Sequence, residues 1–554
     1  MKRNLLRALF CISPLLLLHL APIITSGTAS AQETYKGLDP CGYLEPVELV
    51  PLNQRLKTLD VKRVYFVGAQ SQSLAKLVSE TFQRHVPGAK VTYLEILSPH
   101  VEQPEIWKEV REKADTAVVG VGTCGGMSPK MAMWTADLEK AGIPSVYIVY
   151  EQFEETAKRA GTKKGTPFLR GVQVKQGAKD ITNANAIMDP LVAALTKPLN
   201  EDEKKTGTYV PPKPPRIAIT GTMDKLEEYY NSFYRSDGLP VVVPTEERVA
   251  KMLAGTSHAP DEVVGNLWPE GQMFTVEKVA INSVMAGCKP EYMPVLLAMA
   301  EAFGKEPGFR ATVTSSTSFA NMALVSGPVA KEIEMNASLY AMGPGNMANA
   351  TIGRALRLFI INIGGGIPGV NLMSEQGNPM MYSWCFAEDN ENSPWPPYHT
   401  TMGFKAGDSC VTVFAGGWVW LTSWGISDLK GLCQQLKLIP KPTSVGVIMS
   451  AEKAKYYAKK GLSTREAVQK YLWENTTQTY EEWSDTLWFK LMESMSKRGL
   501  YGRKWWPAEH FDLPPEAIVK IYPKPENIYI IVATEGETVV SLQYPITISV
   551  DKWR

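Results

Sequence analysis

Residues 116–129 read Thr-Ala-Val-Val-Gly-Val-Gly-Thr-Cys-Gly-Gly-Met-Ser-Pro. The first six are small or apolar without alternation, which suits a strand of a parallel sheet buried on both faces. Glycines then allow a tight turn, and Ser128 with Pro129 reads as an N-cap and first position of a new helix. Outward from this stretch the alternation repeats. Strands are predicted over Val61–Val67, Val91–Ile96 and Ser145–Tyr150, with helices from Leu74, around Pro104–Lys113, Pro129–Ala141 and Gln152–Arg159. Strands separated by amphipathic helices give an α/β fold, here an N-terminal doubly wound parallel sheet domain. Ligands of such sheets bind at the carboxyl ends of strands, where Cys124 falls. A helix N-terminus beside it favours negative charge on sulfur; a small residue chosen for packing is the plainer alternative. No Gly-x-Gly-x-x-Gly follows the first strand, so a dinucleotide motif is missing.

The chain then changes character. A charged run, Glu201–Lys205, precedes the proline-dense Tyr209–Arg216 (YVPPKPPR), which reads as a stiff extended connection. The expected organisation is a first domain over 32–207, a linker over 208–216 and a larger mixed α/β domain over 217–554, divisible near 440. In the larger domain, helices are predicted around Val276–Ala286 and Tyr292–Phe303, and a Gly-, Asn- and Met-rich middle spans Gly327–Gly377. The alternation resumes with Ser444–Met449, Ala451–Lys459, Ser463–Trp473 and Ile528–Val532.

Composition narrows the class. Of 554 residues, 44% are hydrophobic and 21% charged, which excludes disordered and fibrous chains. Lys and Arg number 58 against 57 acids, so there is no electrostatic case for a nucleic-acid partner. Lys2, Arg3 and Arg7 precede an apolar run to Ile24 and then Ala29-Ser30-Ala31, the order of a secretory signal peptide cleaved after residue 31. The expectation is an exported protein, periplasmic or secreted, with no integral membrane segment after cleavage. A small-molecule substrate is the expected partner, and a homo-oligomer is compatible with the sequence. Six of the seven cysteines follow the leader, and one pair among Cys41, Cys385, Cys410 and Cys433 could form a disulfide.

Three further groups carry candidate chemistry. Cys288 lies at a helix–turn–helix joint and is the expected partner of Cys124, with packing as its plainer role. The loop Gly343–Asn346 runs into a helix bearing Asn349, Arg354 and Arg357, which suits an anionic group, against a tight turn with solvated arginines. Glu388, Asp389 and Glu391 with His399 could hold a divalent cation or serve acid–base chemistry, against a solvated acidic loop. His-Glu-x-x-His, Cys-x-x-Cys, a c-type haem motif and Gly-x-Ser-x-Gly are all missing, so the cofactor is unassigned beyond a divalent or soft metal.

The segment VVGVGTCGGMSPKMAMWTADLEKAGIP (118–144) resembles the UGSC family, named for a selenocysteine-Gly-Ser-Cys tetrapeptide at such a loop. Asn282–Val295 (NSVMAGCKPEYMPV), Gly343–Arg357 (GPGNMANATIGRALR) and Glu388–His399 (EDNENSPWPPYH) resemble the region that accompanies it, extending the resemblance over about 60–540. The resemblance implies redox-active thiol or selenol chemistry. Here Cys124 stands at the selenocysteine position, Gly126 replaces the serine, and Met127 stands at the second cysteine. Without that local pair, Cys124 is resolved by another cysteine, or acts as a lone nucleophile or as a soft-metal ligand with Met127. The first reading is an exported thiol-dependent oxidoreductase acting on a small anionic substrate through Cys124, with Gly125, Gly126, Asn346, Asn349, Arg354 and Arg357 binding it. The alternatives are a periplasmic small-molecule or soft-metal binding protein, and a hydrolase or lyase using His399 with the Glu388 cluster.

Overall fold

Branched and aromatic residues at Arg63–Ala69, Lys90–Ile96, Thr116–Gly122, Ser145–Tyr150 and Gly171–Val174 pair side by side as five parallel strands in a computed structural model of the chain. The structure describes residues 33–69, 73–96, 103–175, 181–232, 235–315, 317–421, 428–439, 444–486, 489–490, 493 and 508–554. The expected leader lies outside the described residues. The spatial order of the five strands is second, first, third, fourth, fifth. Chain direction across the sheet therefore reverses between the first and third strands. Every residue of Thr116–Gly122 is buried, as a strand covered on both faces requires.

Two separate cores lie on the two faces. Val110, Met131, Ala136, Ala157 and Ala160 bring the helices Pro104–Lys113, Met127–Lys140 and Glu154–Lys163 onto one face. Val78, Phe82, Leu191 and Leu195 bring Ser73–His85 and Met188–Thr196 onto the other. The Gly171–Val174 strand is an addition to the sequence expectation, being short and half exposed.

The second domain is built on a six-stranded mixed sheet. Its order is Cys385–Ala387, Ala320–Ser326, Cys410–Leu421, Glu537–Ser549, Val445–Met449 and Ile528–Val532. The centre is antiparallel and the two edge pairs are parallel. Strands from both sides of residue 440 thus hydrogen-bond in one sheet. The helix Met293–Lys305 is buried from Met293 to Phe303, and packs with Val276–Ala286 and Met347–Leu358 over that sheet. A helix apolar all round belongs inside a large core, which is where this one lies.

The residues before the first sheet cross between the domains. Tyr35–Leu38 pairs with Ile217–Gly221, and Val47–Leu49 with Gly207–Tyr209. The proline-dense connection is therefore partly paired rather than free. Farther on, Asn53 and Arg55 strap onto the end of the helix Met127–Lys140. Arg55 donates to Glu139 at 2.7 Å with both side chains fully buried, and Glu139 also accepts from the backbone N–H groups of Asn53 and Ser145 at 2.7 Å. This pair fixes the far end of the helix that leaves the Cys124 loop. Arg55→Met leaves the Glu139 carboxylate buried without its counter-charge, which costs about 3–5 kcal/mol. Urea unfolding should show that loss; a change below about 1 kcal/mol would mean the pair anchors nothing.

Candidate active site

Cys124 lies in the loop after the third strand, at the point where the sheet reverses direction. Doubly wound sheets bind ligands in the crevice there. The loop is knitted to the helix it starts. The Cys124 carbonyl accepts from Met127 N–H at 3.1 Å, Ser128 N–H at 3.0 Å and Ser128 Oγ at 2.9 Å. Gly126, not Ser128, occupies the N-cap position, and the helix begins at Met127. The Ser128 hydroxyl turns back to the loop carbonyl instead of capping N–H groups downstream, so these first-turn donors serve the loop itself. Met127 is buried in the core beneath the loop, which makes it a packing residue.

The second domain closes against this loop. A Cβ on Gly125 would lie 2.5 Å from Asn371 Cα and 2.7 Å from the Val370 carbonyl oxygen. Only a residue without a side chain fits there. Gly126 faces Thr314 Oγ1, with 3.1 Å to an added Cβ. Asn371 is itself pinned: its Nδ2 donates to Glu270 Oε1 at 2.5 Å and to the Gly365 carbonyl at 3.0 Å, and its Oδ1 accepts from Ile367 N–H at 2.6 Å.

Cations crowd the same interface. Burial pushes the Lys130 ammonium down to about 8, with the Arg310 charge acting in the same direction and Cys124 opposing it. Arg310 is lowered by burial, offset by Glu270 and then Cys124. Lys163, the last residue of its helix, is also pushed down to about 8 by burial, offset by Glu270. Its Nζ lies over Gly271, where φ is +60° and an added Cβ would sit 2.7 Å away. The Glu270 carboxyl is raised, burial outweighing the bond from Asn371 and the charges of Arg310, Arg159 and Lys163. Cys124, Lys130 and Lys163 from one domain thus share a charged environment with Arg310 and Glu270 from the other.

The remaining sequence candidates are engaged elsewhere. Cys288 donates to the Thr351 carbonyl at 3.3 Å, packs against the core of the second domain, and is pushed up to about 12 by burial. Arg354 forms a double ion pair with Asp237, at 2.8 and 3.0 Å, and donates to the Leu239 and Pro240 carbonyls. Asn346 caps the helix Met347–Leu358 by accepting from Asn349 N–H, and the Asn349 side chain bonds Asn336 and Ala341. Arg357 is lowered by burial, with the Asp237 carboxylate acting in the opposite direction. His399 is fully buried, with Nε2 against the Lys405 carbonyl at 2.9 Å. Glu388 pairs with buried Arg465 at 2.9 Å, Asp389 accepts from Asn392, and Glu391 pairs with surface Lys331. Among the described residues no group of three or more His, Cys, Asp or Glu is placed to hold a metal ion. The expected acidic cluster is therefore a set of separate structural bonds. None of the cysteines that could have formed a disulfide is bridged: Cys41, Cys124, Cys288, Cys385, Cys410 and Cys433 are all free thiols.

The fold and site define a doubly wound α/β domain with a cysteine loop at its switch point. Residues 36–197, which contain that domain, match the model of the UGSC family. The Asn282–Val295, Gly343–Arg357 and Glu388–His399 motifs lie outside the matched range. No curated protein matches the chain. Three chains of solved structures match, among them a short-chain flavodoxin associated with a bacterial microcompartment. It is 20% identical, covering 24% of this chain and 99% of its own, with a TM-score of 0.17.

One outcome follows from this geometry. Gly125→Ala forces Asn371 backbone away and should loosen the interface far more than Gly126→Ala, whose neighbour is a hydroxyl; limited proteolysis of the two variants compares them.

Proposed function

We propose that the chain is an exported, thiol-dependent enzyme that acts on a small anionic substrate through Cys124. The observation that supports this most directly is the placement of Cys124 at the switch-point loop, beside Lys130 and Arg310, where the two domains meet. Negative charge that develops on sulfur or substrate sits next to cations at a half-buried interface, where such charges act more strongly than in bulk water. Burial pushes the Cys41, Cys288 and Cys410 thiols up to about 12 and raises those of Cys385 and Cys433.

With its five companions in other surroundings, Cys124 acts as a lone nucleophile. Its sulfur attacks an electrophilic atom of the substrate, and the leaving group departs with the electron pair. In the reductive version an external thiol then attacks the Cys124 sulfur. A mixed disulfide forms, and the substrate leaves carrying the proton of that thiol. A second thiol attacks the mixed disulfide, restoring Cys124 and releasing the oxidised donor. Two external thiols supply the two electrons. Periplasmic or secreted location follows from the leader reading and completes the proposal.

Iodoacetamide at neutral pH followed by peptide mass spectrometry is the first test. Cys124 should be modified ahead of the other five, by about tenfold or more, because the thiolate is the reacting form. Cys124→Ser should then lose thiol-dependent turnover of anionic electrophiles while its thermal unfolding is unchanged. Equal labelling of all six cysteines, or full turnover by the serine variant, would sink the proposal.

A further inference from the structure

The Cys124 loop meets the second domain at two glycines, and the two contacts differ. Gly125 is closed off by the backbone of Val370 and Asn371. At Gly126 the backbone makes no demand for glycine, since φ is −83° and ψ is −35°. The three atoms nearest to an added Cβ there all belong to Thr314: Oγ1 at 3.1 Å, and Cβ and the carbonyl oxygen at 3.8 Å each. The room of a side chain is thus left open two residues from Cys124, with a hydroxyl on its far wall. Cys124 and Gly126 are both half-buried, so this space is open to solvent.

Thr314 is held firmly in place and is 3% exposed. It ends the helix Pro307–Val313, which Glu306 caps by accepting from Gly308 N–H at 2.7 Å, and which Phe309 and Val313 anchor in the core of the second domain. The Arg310 carbonyl accepts twice from Thr314, from its N–H at 3.1 Å and from Oγ1 at 2.8 Å. The backbone bond alone satisfies that carbonyl. The hydroxyl proton can therefore turn to another acceptor without stranding a buried group.

We propose that Thr314 is the second domain's hydrogen-bond donor at the Cys124 site, its hydroxyl binding an anionic oxygen of the substrate in the space beside Gly126. This rests on the reading that Cys124 carries the chemistry, and adds the residue that orients the substrate against it. Where the UGSC tetrapeptide has serine, this chain has Gly126, and a serine Cβ there would crowd Thr314 Oγ1. The loop and the second domain have room for one hydroxyl at this spot, and here the second domain supplies it.

Alkylation of the full chain by iodoacetate and by iodoacetamide at pH 7, with rates read at Cys124 by peptide mass spectrometry, tests the assignment. The two reagents share shape and leaving group, and iodoacetate alone carries an oxyanion. Thr314→Val keeps the shape and the backbone bond to Arg310. It should slow iodoacetate by about fivefold or more and iodoacetamide by about twofold at most, because hydrogen bonds to charged groups are the stronger ones. Thr314→Ala should behave alike, and adding Gly126→Ser to it should recover most of the iodoacetate rate by offering a hydroxyl from the opposite wall. An unchanged iodoacetate rate in Thr314→Val, equal slowing of both reagents, or no recovery in the double variant overturns the assignment. Preference of iodoacetamide for Cys124 over the other cysteines of the parent is read in the same samples, so failure of the thiol reading shows itself separately.

Discussion

Gly125 meets the backbone of Asn371 so closely that no side chain fits between them, and the site depends on that contact. It fixes the distance between two domains that were built from separate cores. Asn371 transmits the constraint by holding Glu270 on one side while its backbone bears on the Cys124 loop on the other. The loop has little freedom to retreat, because the Cys124 carbonyl is bonded to three donors of the next helix. The buried Arg55–Glu139 pair holds the other end of that helix. A docking contact between backbones is rigid in a way that long side chains are not, and it lets charges from two domains face each other at fixed spacing.

Much of the first domain is legible in the sequence because each strand is a short apolar run and each helix carries its own period. Ser145–Tyr150 and Pro104–Lys113 have the predicted limits, and Thr116–Gly122 runs one residue beyond them. The two longest strands, Cys410–Leu421 and Glu537–Ser549, escape such reading. Their pairing shifts register near Gly416 and again opposite Tyr544 and Pro545, and bulges of this kind erase the two-residue alternation. In the resumed alternation, Val445–Met449 pairs in parallel with Ile528–Val532, while Glu537–Ser549 lies antiparallel on its other side.

The site is legible only in part. Cys124 announces itself by position, at the end of an apolar strand between glycines. Arg310, Lys163 and Glu270 carry no such signal, because each is an isolated residue in its own segment and acquires a role only through docking. The residues that do form long motifs have a different explanation. Arg354 with Asp237, Asn349 with Asn336 and Ala341, and Glu388 with Arg465 are buried polar bonds joining segments far apart in sequence. Such bonds tolerate few substitutes, since a missing partner leaves a dehydrated group unsatisfied. A motif rich in Asn, Arg and Glu can therefore specify architecture as strictly as chemistry.

The segment from Tyr35 to Tyr43 sets the order of assembly. Leu38 accepts from the Tyr230 hydroxyl, Asp39 from Lys278, and Pro40 from Asn282, partners separated by 192, 239 and 242 residues. The parallel sheet draws all its strands from residues 63–174, but the segment that leads into it must wait unpaired until that much more chain has been delivered. During synthesis, this early segment is among the last to be locked in place, and its docking marks completion of the whole.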